Sequence, residues 1–207
     1  MFDRAAAISA RTCALLVIAS LSGGAPIAAA ERQSAAQMMD DLMYGRGPIG
    51  GPFTLTDQNG RRRSDTEFRG RLMIVYFGYT WCPDVCPTDL MAITQALDRL
   101  GSAADGVQPI FISIDPERDT SVLADYVAAF HRNLIGLTGS PEEIQRVADA
   151  YKTFYVKVPD ERGGYSIDHT GVIYLMGRSG EYLGFMPPQT SPDRLADVLR
   201  KNLAHDE

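Results

Sequence analysis

Two thiols and a histidine carry the most legible chemistry in this chain. Cys82 and Cys86 lie in Tyr79-Thr-Trp-Cys-Pro-Asp-Val-Cys-Pro87, with three residues between them. That spacing brings two sulfurs close enough either to bond to each other or to share one metal ion. Thiolates are soft ligands, so a shared ion would be Cu(I) or zinc rather than a hard cation. As a disulfide the pair would close too small a loop to be a useful structural staple. Two neighbouring prolines and the charged Asp84 argue against reading the cysteines as small buried hydrophobes. Metal site and redox-active pair both stay open at this level.

A metal would want a further ligand, and the chain has three histidines. His131 closes an amphipathic segment, where a positive charge suits the end of a helix. His205 stands in the tail. His169, in Ser166-Ile-Asp-His-Thr-Gly171, directly precedes an apolar strand pattern and is the candidate. Asp84, between the cysteines, and Asp168, beside the histidine, are candidates for supporting the ligands. Asp168 either orients the imidazole or caps a turn.

These residues need elements to position them, and the pattern alternates strands with helices. Strands are expected at 53–56, 72–77 and 108–114, the last two as nearly continuous apolar runs of the kind covered on both faces. A helix is expected to open at Pro87, with Leu90, Ile93, Leu97 and Leu100 on its inner face. Asp119-Thr120 would cap a helix over 122–130. Ser140-Pro-Glu-Glu143 starts another that ends near Tyr151. A hairpin over 172–185 and a last helix capped by Ser191-Pro-Asp193 complete the order. Gly163-Gly164 predicts a mobile loop before His169, able to swing that residue inward. Arg61-Arg62-Arg63, after Asn59-Gly60, reads as a solvated turn or a docking patch for an acidic partner. The whole is a three-layer α/β domain on a central mixed sheet. The thiols then lie where a strand end feeds a helix, the usual place for sites in such folds. There the positive end of the helix favours thiolate.

Residues 1–30 read as an export signal, with Arg4 and Arg11 ahead of the apolar run 14–21 and Ala28-Ala29-Ala30 before the cleavage point. The run is short of the roughly 20 residues that span a bilayer. An uncleaved anchor is the other reading. The product is expected in the periplasm, or tethered to the outer face of the inner membrane if the signal stays. Cys13 leaves with that segment, so the mature chain keeps only Cys82 and Cys86. Residues 31–49 form a polar lead-in, in which Met38, Met39 and Met43 make one apolar face, and 50–207 form the domain. The net charge of −6 argues against nucleic acid as a partner.

Three motifs, Thr80-Trp-Cys-Pro-Asp-Val-Cys-Pro87, Ser113-Ile-Asp-Pro-Glu-Arg-Asp-Thr120 and Asp168-His169-Thr170, together resemble the SCO/SenC family of copper-handling proteins, in order over about residues 50–203. The resemblance implies a thioredoxin-like fold, with copper, as Cu(I) or Cu(II), held by Cys82, Cys86 and His169. It also implies a role in assembling cytochrome c oxidase, with oxidase subunit II or another copper acceptor as partner. A copper donor and a thioredoxin-like reductant would serve the same site. In thioredoxin-like proteins a cis-proline, often followed by threonine, usually faces the cysteines from before the hairpin; His169-Thr170 occupies the equivalent place. Two alternatives use the same thiols, a thiol–disulfide oxidoreductase and a redox sensor. Against the first, plain reductants space their cysteines by two residues and have no use for His169. A peroxiredoxin would need threonine or serine where Tyr79 stands.

Overall fold

The chain enters the sheet through β1 (Thr54–Asp57), turns at Gly60 and returns as β2 (Arg62–Ser64). The Asp57 carboxylate shapes that turn by accepting the Asn59 and Arg61 backbone N–H groups, and Gly60 supplies the positive φ of 78°. The arginine run is therefore largely a strand rather than a solvated turn. Arg62 is paired with Glu143 at 2.6 Å and Arg63 with Glu67 at 2.8 Å, so these two charges are answered inside the molecule. The computed structural model describes residues 40–43, 45–160 and 163–204. The expected export signal, Cys13, Met38, Met39 and His205 lie outside the described residues. Met43 is exposed. The described residues fall within one compact unit, Gln33–Glu207.

The apolar run Leu72–Gly78 forms β3, and all seven of its residues are buried. Helix α1 (Val85–Leu100) follows, then β4 (Val107–Ser113), likewise buried throughout. Helix α1 begins two residues before Pro87, the start expected from sequence. A proline fits the first turn of a helix, where its missing N–H would have no intrahelical partner in any case. After β4 come a short helix α2 (Pro116–Asp119), α3 (Leu123–Ala128) and β5 (Ile135–Thr138). The helix expected over 122–130 is thus shorter, and Asp119 makes no side-chain cap for it. Helix α4 (Pro141–Tyr151) opens on the expected capping box, Ser140 with Glu143, and ends at Tyr151.

After α4 the structure departs from the loop expected around Gly163-Gly164. Residues 155–169 are not a free loop but a two-stranded hairpin, β6 (Tyr155–Pro159) and β7 (Tyr165–His169), paired from Tyr155–His169 to Pro159–Tyr165. Strands β8 (Ile173–Met176) and β9 (Tyr182–Met186) and helix α5 (Pro192–Ala204) close the fold as expected.

The main sheet has the order β2-β1-β5-β4-β3-β8-β9. β3, β4 and β5 run parallel, while β8 and β1 flank them antiparallel, so the sheet is mixed. The pleat of β3 divides its side chains. Phe77 faces Tyr151 of α4 and Tyr174 of β8, with ring centroids 5.3 and 5.9 Å apart. Tyr76 and Gly78 face the other way, toward Cys86 on α1. Helices therefore cover both faces, and the fold is α/β and thioredoxin-like. Among the described residues no helix is long and apolar enough to cross a membrane.

Candidate metal centre

Cys86 is the second residue of α1 and is fully buried. Its place depends on Gly78, the last residue of β3. A Cβ there would lie 3.0 Å from the Cys86 sulfur and 3.0 Å from the Phe111 ring. Glycine at this strand end is what lets the thiol sit against the sheet. Cys82 lies in the preceding turn and is half-buried. Asp84 is the N-cap of α1 but makes no side-chain cap. Instead the Cys82 sulfur accepts the Cys86 backbone N–H at 3.4 Å, so a thiol takes the anion's place at the helix start.

The two sulfurs are inequivalent. The hydrogen bond from Cys86, then that from His169 and the backbone N–H groups of Asp84 and Cys86, hold the Cys82 thiol well below its ordinary value. The same shared proton, and then burial, push Cys86 upward. At neutral pH the pair is one thiolate and one thiol, with the negative charge on the more exposed sulfur.

His169 ends β7, and its Nε2 lies 3.5 Å from the Cys86 sulfur. Its Nδ1 is 3.1 Å from the Thr170 carbonyl oxygen. A carbonyl only accepts, so Nδ1 carries a proton there, and Nε2 is the ring nitrogen that faces the thiols. The ring is further bounded by Tyr76 and Tyr79, both edge-on with centroids 6.4 and 6.2 Å away. Donor atoms sharing one ion through bonds of about 2.0–2.3 Å stand about 3.5–4 Å apart, and the Cys86–His169 pair meets that spacing. Among the described residues, however, no group of three His, Cys, Asp or Glu side chains is arranged to hold an ion as it stands.

Beside the two supporting residues the sequence suggested, the structure brings two others to the site. Asp84 and Asp168 are both exposed. Asp84 lowers the Cys82 thiol through its backbone N–H. Asp168 pairs by backbone with Val156, while the imidazole's Nδ1 partner is Thr170. Asp119, which the sequence showed only as a cap, is fully buried and aims at the thiol loop. It accepts from the Thr80 N–H at 2.9 Å, the Thr80 hydroxyl at 2.6 Å and the Ser113 hydroxyl at 2.7 Å. Burial pushes its carboxyl up, while the bonds from Thr80 and Ser113 hold it down. Asp89, one turn after Cys86, is also fully buried, and it accepts the Gln189 N–H at 2.6 Å. That bond ties the segment after β9 to α1. Gln189 takes a left-handed φ of 60° there, and neighbouring Pro188 lies over Gly171. The signal for Asp119 was its position just beyond a buried strand, at the same sheet edge as the thiols.

Around the site the surface turns apolar. Trp81, next to Cys82, is 65% exposed, and Phe154, hydrogen-bonded to Thr170 in both directions, is 66% exposed. They are the two most exposed large hydrophobic residues among those described, and they flank the thiols and the histidine.

Comparison with known proteins gives a consistent answer. The SCO1/SenC family model matches residues 43–204. The mitochondrial SCO1 homolog 1 of Arabidopsis thaliana is 43% identical over 162 residues, covering 77% of this chain and 48% of that protein. The chain spans about half the length of this plant relative and of the human SCO1 homolog. The structure of Bradyrhizobium japonicum ScoI with copper bound superposes with a TM-score of 0.70 at 44% identity, over 74% of this chain and 99% of that one. BsSco, described as a member of the Sco family of cytochrome c oxidase assembly proteins with a disulfide switch, matches with a TM-score of 0.60 at 25% identity, over 75% and 95%. With the three motifs in place on a thioredoxin-like fold, the chain belongs to the SCO1/SenC family.

Proposed function

We propose that this protein carries one copper ion on Cys82, Cys86 and His169 and passes it on during assembly of the dinuclear copper centre of cytochrome c oxidase. The observation that carries the reading is the convergence of a buried thiol, a thiolate and an imidazole nitrogen at one sheet edge. Two sulfurs and a nitrogen are a soft donor set, suited to copper among the cellular metals. The copper-bound Bradyrhizobium relative supports the choice of metal, and the BsSco description supports the oxidase connection.

Copper is cargo in this account, so the chain's residues must both hold it and let it go. Cys82 supplies a thiolate without first losing a proton to solvent, whereas Cys86 must give up its proton as the ion enters. A three-ligand site at the surface leaves room for an acceptor's ligand to attack. The exposed Trp81 and Phe154 give a partner protein an apolar surface around that point. The physiological setting is outside the cytoplasm, with a copper donor and a thioredoxin-like reductant that keeps the thiols open.

A second reading shares the same atoms. The split between a low Cys82 and a high Cys86 thiol suits disulfide exchange, in which Cys82 would attack and Cys86 would resolve. Titration of the reduced protein with Cu(I) separates the two. The copper reading expects one ion per chain, lost in Cys82→Ser and Cys86→Ser and weakened at least tenfold in His169→Ala. Retention of stoichiometric, equally tight binding in His169→Ala, with disulfide reductase activity intact in the same protein, would leave the exchange reading standing instead.

A further inference from the structure

The sequence around Asp115-Pro-Glu-Arg-Asp119 matched the family without showing a role. In the structure it lies between the two arms of the site. Toward the thiols, Asp119 holds Thr80, two residues before Cys82. Toward the histidine, the same segment grips the β6–β7 hairpin, whose strands pair, among the described residues, only with each other.

That grip is built on Arg118. Its Nη1 donates to the Tyr165 backbone oxygen at 2.9 Å, and its guanidinium carbon lies 3.6 Å from the centre of the Tyr165 ring. Its Nε is ion-paired with Asp115, a fully buried carboxylate that also accepts the Tyr165 hydroxyl at 2.9 Å. From β6, Lys157 Nζ reaches Glu117 at 2.7 Å and stands 4.5 Å from the same ring. Both strands of the hairpin are thus tied to five consecutive residues after β4. Arg118 also lies 5.8 Å from the Tyr79 ring, which itself packs edge-on against His169.

The pleat of β7 makes this grip matter for the metal. Alternate residues of a strand share a face, so Tyr165, Ile167 and His169 look the same way. The burial along β7 agrees, since those three are covered while Ser166 and Asp168 are exposed. Tyr165 is clamped by Arg118, Ile167 is buried in the core and His169 meets Cys86. Fixing the first of three residues on one short strand restricts where the third can go.

We infer that Arg118 is a positioning residue for the copper site: by stacking on Tyr165 and bonding its backbone, it holds the hairpin so that His169 stays within reach of the thiols. Arg118 does not touch the metal. The inference deepens the copper reading and depends on it for one of its two tests. Lysine is a poor replacement, because an ammonium lacks the planar face for the ring and the fork that serves Asp115 and Tyr165 together.

The copper test is a double-mutant cycle on the full, reduced chain, with Cu(I) affinity measured by competition against a chromophoric chelator. Arg118→Ala is expected to weaken binding about tenfold in the wild-type background and to have no further effect in His169→Ala. Arg118→Lys remains weakened, and Tyr165→Phe, which loses only the hydroxyl bond, falls between. Should Arg118→Ala fail to fold, the same cycle runs on Arg118→Lys and Tyr165→Phe. Equal losses with and without His169, or no loss at all, would overturn the inference. The second test needs no copper. Amide hydrogen exchange should quicken in Arg118→Lys at Ile167–His169 while β3 and β4 keep their protection; unchanged exchange in the hairpin would overturn the clamp. Failure of the copper reading shows separately, as a wild-type chain that takes up no Cu(I) while this exchange test still reports on the clamp.

Discussion

Cys86 and His169 approach to 3.5 Å, yet they arrive on backbones of opposite character. The thiol sits in the first turn of a sixteen-residue helix, against a strand buried along its whole length. The imidazole ends a five-residue strand outside the main sheet, with one buried residue, Ile167, on that strand. Burying a large apolar side chain is worth about 1.5–3 kcal/mol, so the first arm is anchored many times over and the second hardly at all. What the hairpin lacks in apolar contact it recovers in part through Arg118, Asp115 and Lys157. Under the proposed copper-carrier reading this asymmetry serves release, because the thiols stay fixed while His169 can be moved without disturbing the core.

The comparison breaks most visibly at Asp119, which serves the rigid arm. Asp119→Ala would leave the Thr80 N–H, the Thr80 hydroxyl and the Ser113 hydroxyl without their acceptor. At about 1–3 kcal/mol for a buried group left unpaired, and with part of the loss recovered by water at Thr80, about 3 kcal/mol of unfolding free energy should go. Urea denaturation reads this directly; a loss under about 0.5 kcal/mol would show that the thiol loop is not anchored there. Changes on the hairpin arm, by contrast, should move copper affinity and local exchange more than global stability.

A smaller effect sharpens the contrast within the rigid arm itself. Because Cys82 is held low and Cys86 high, alkylation by iodoacetamide should mark Cys82 alone at pH 6, at a rate that stays flat up to pH 8. An ordinary thiol, with a pKa near 8.5, would instead speed up about tenfold per pH unit over that range. The sign follows from the charge: lowering the folded pKa keeps the thiolate populated as pH falls. His169→Ala should restore part of the pH dependence, since the histidine is one cause of the low value. A Cys82 rate that climbs with pH like a free thiol would remove the thiolate from the account.

Much of the rigid arm was legible in the sequence, because its signals are local. Apolar runs predict β3 and β4, and the Ser140–Glu143 box marks the start of α4. Cys82 and Cys86 announce themselves by their spacing and by the proline that follows each. Helix α1 was misplaced by two residues because proline marks the first turn, not its first residue. The hairpin arm was missed for a physical reason as well. Val156 and Val158 alternate with charged or polar neighbours on a strand that is largely exposed, so no buried face betrays it. Gly163-Gly164 was read as the middle of a free loop when it lies at a hairpin end. The roles of Asp119 and Arg118 were invisible for a third reason: their partners, Thr80 and Tyr165, are 39 and 47 residues away. The arginine run misled in the opposite sense, since its ion-pair partners include Glu143, 81 residues on from Arg62. His169 was drawn to the thiols by family resemblance, and the structure supplies the geometry that the local sequence lacked.

X-ray absorption of the copper-loaded protein tests the central claim most directly, because it reads the ligands rather than the affinity. The account predicts two sulfurs and one imidazole nitrogen around copper in the wild type, with the nitrogen contribution lost in His169→Ala and one sulfur lost in Cys82→Ser. A wild-type spectrum with sulfur alone, unchanged in His169→Ala, would contradict it.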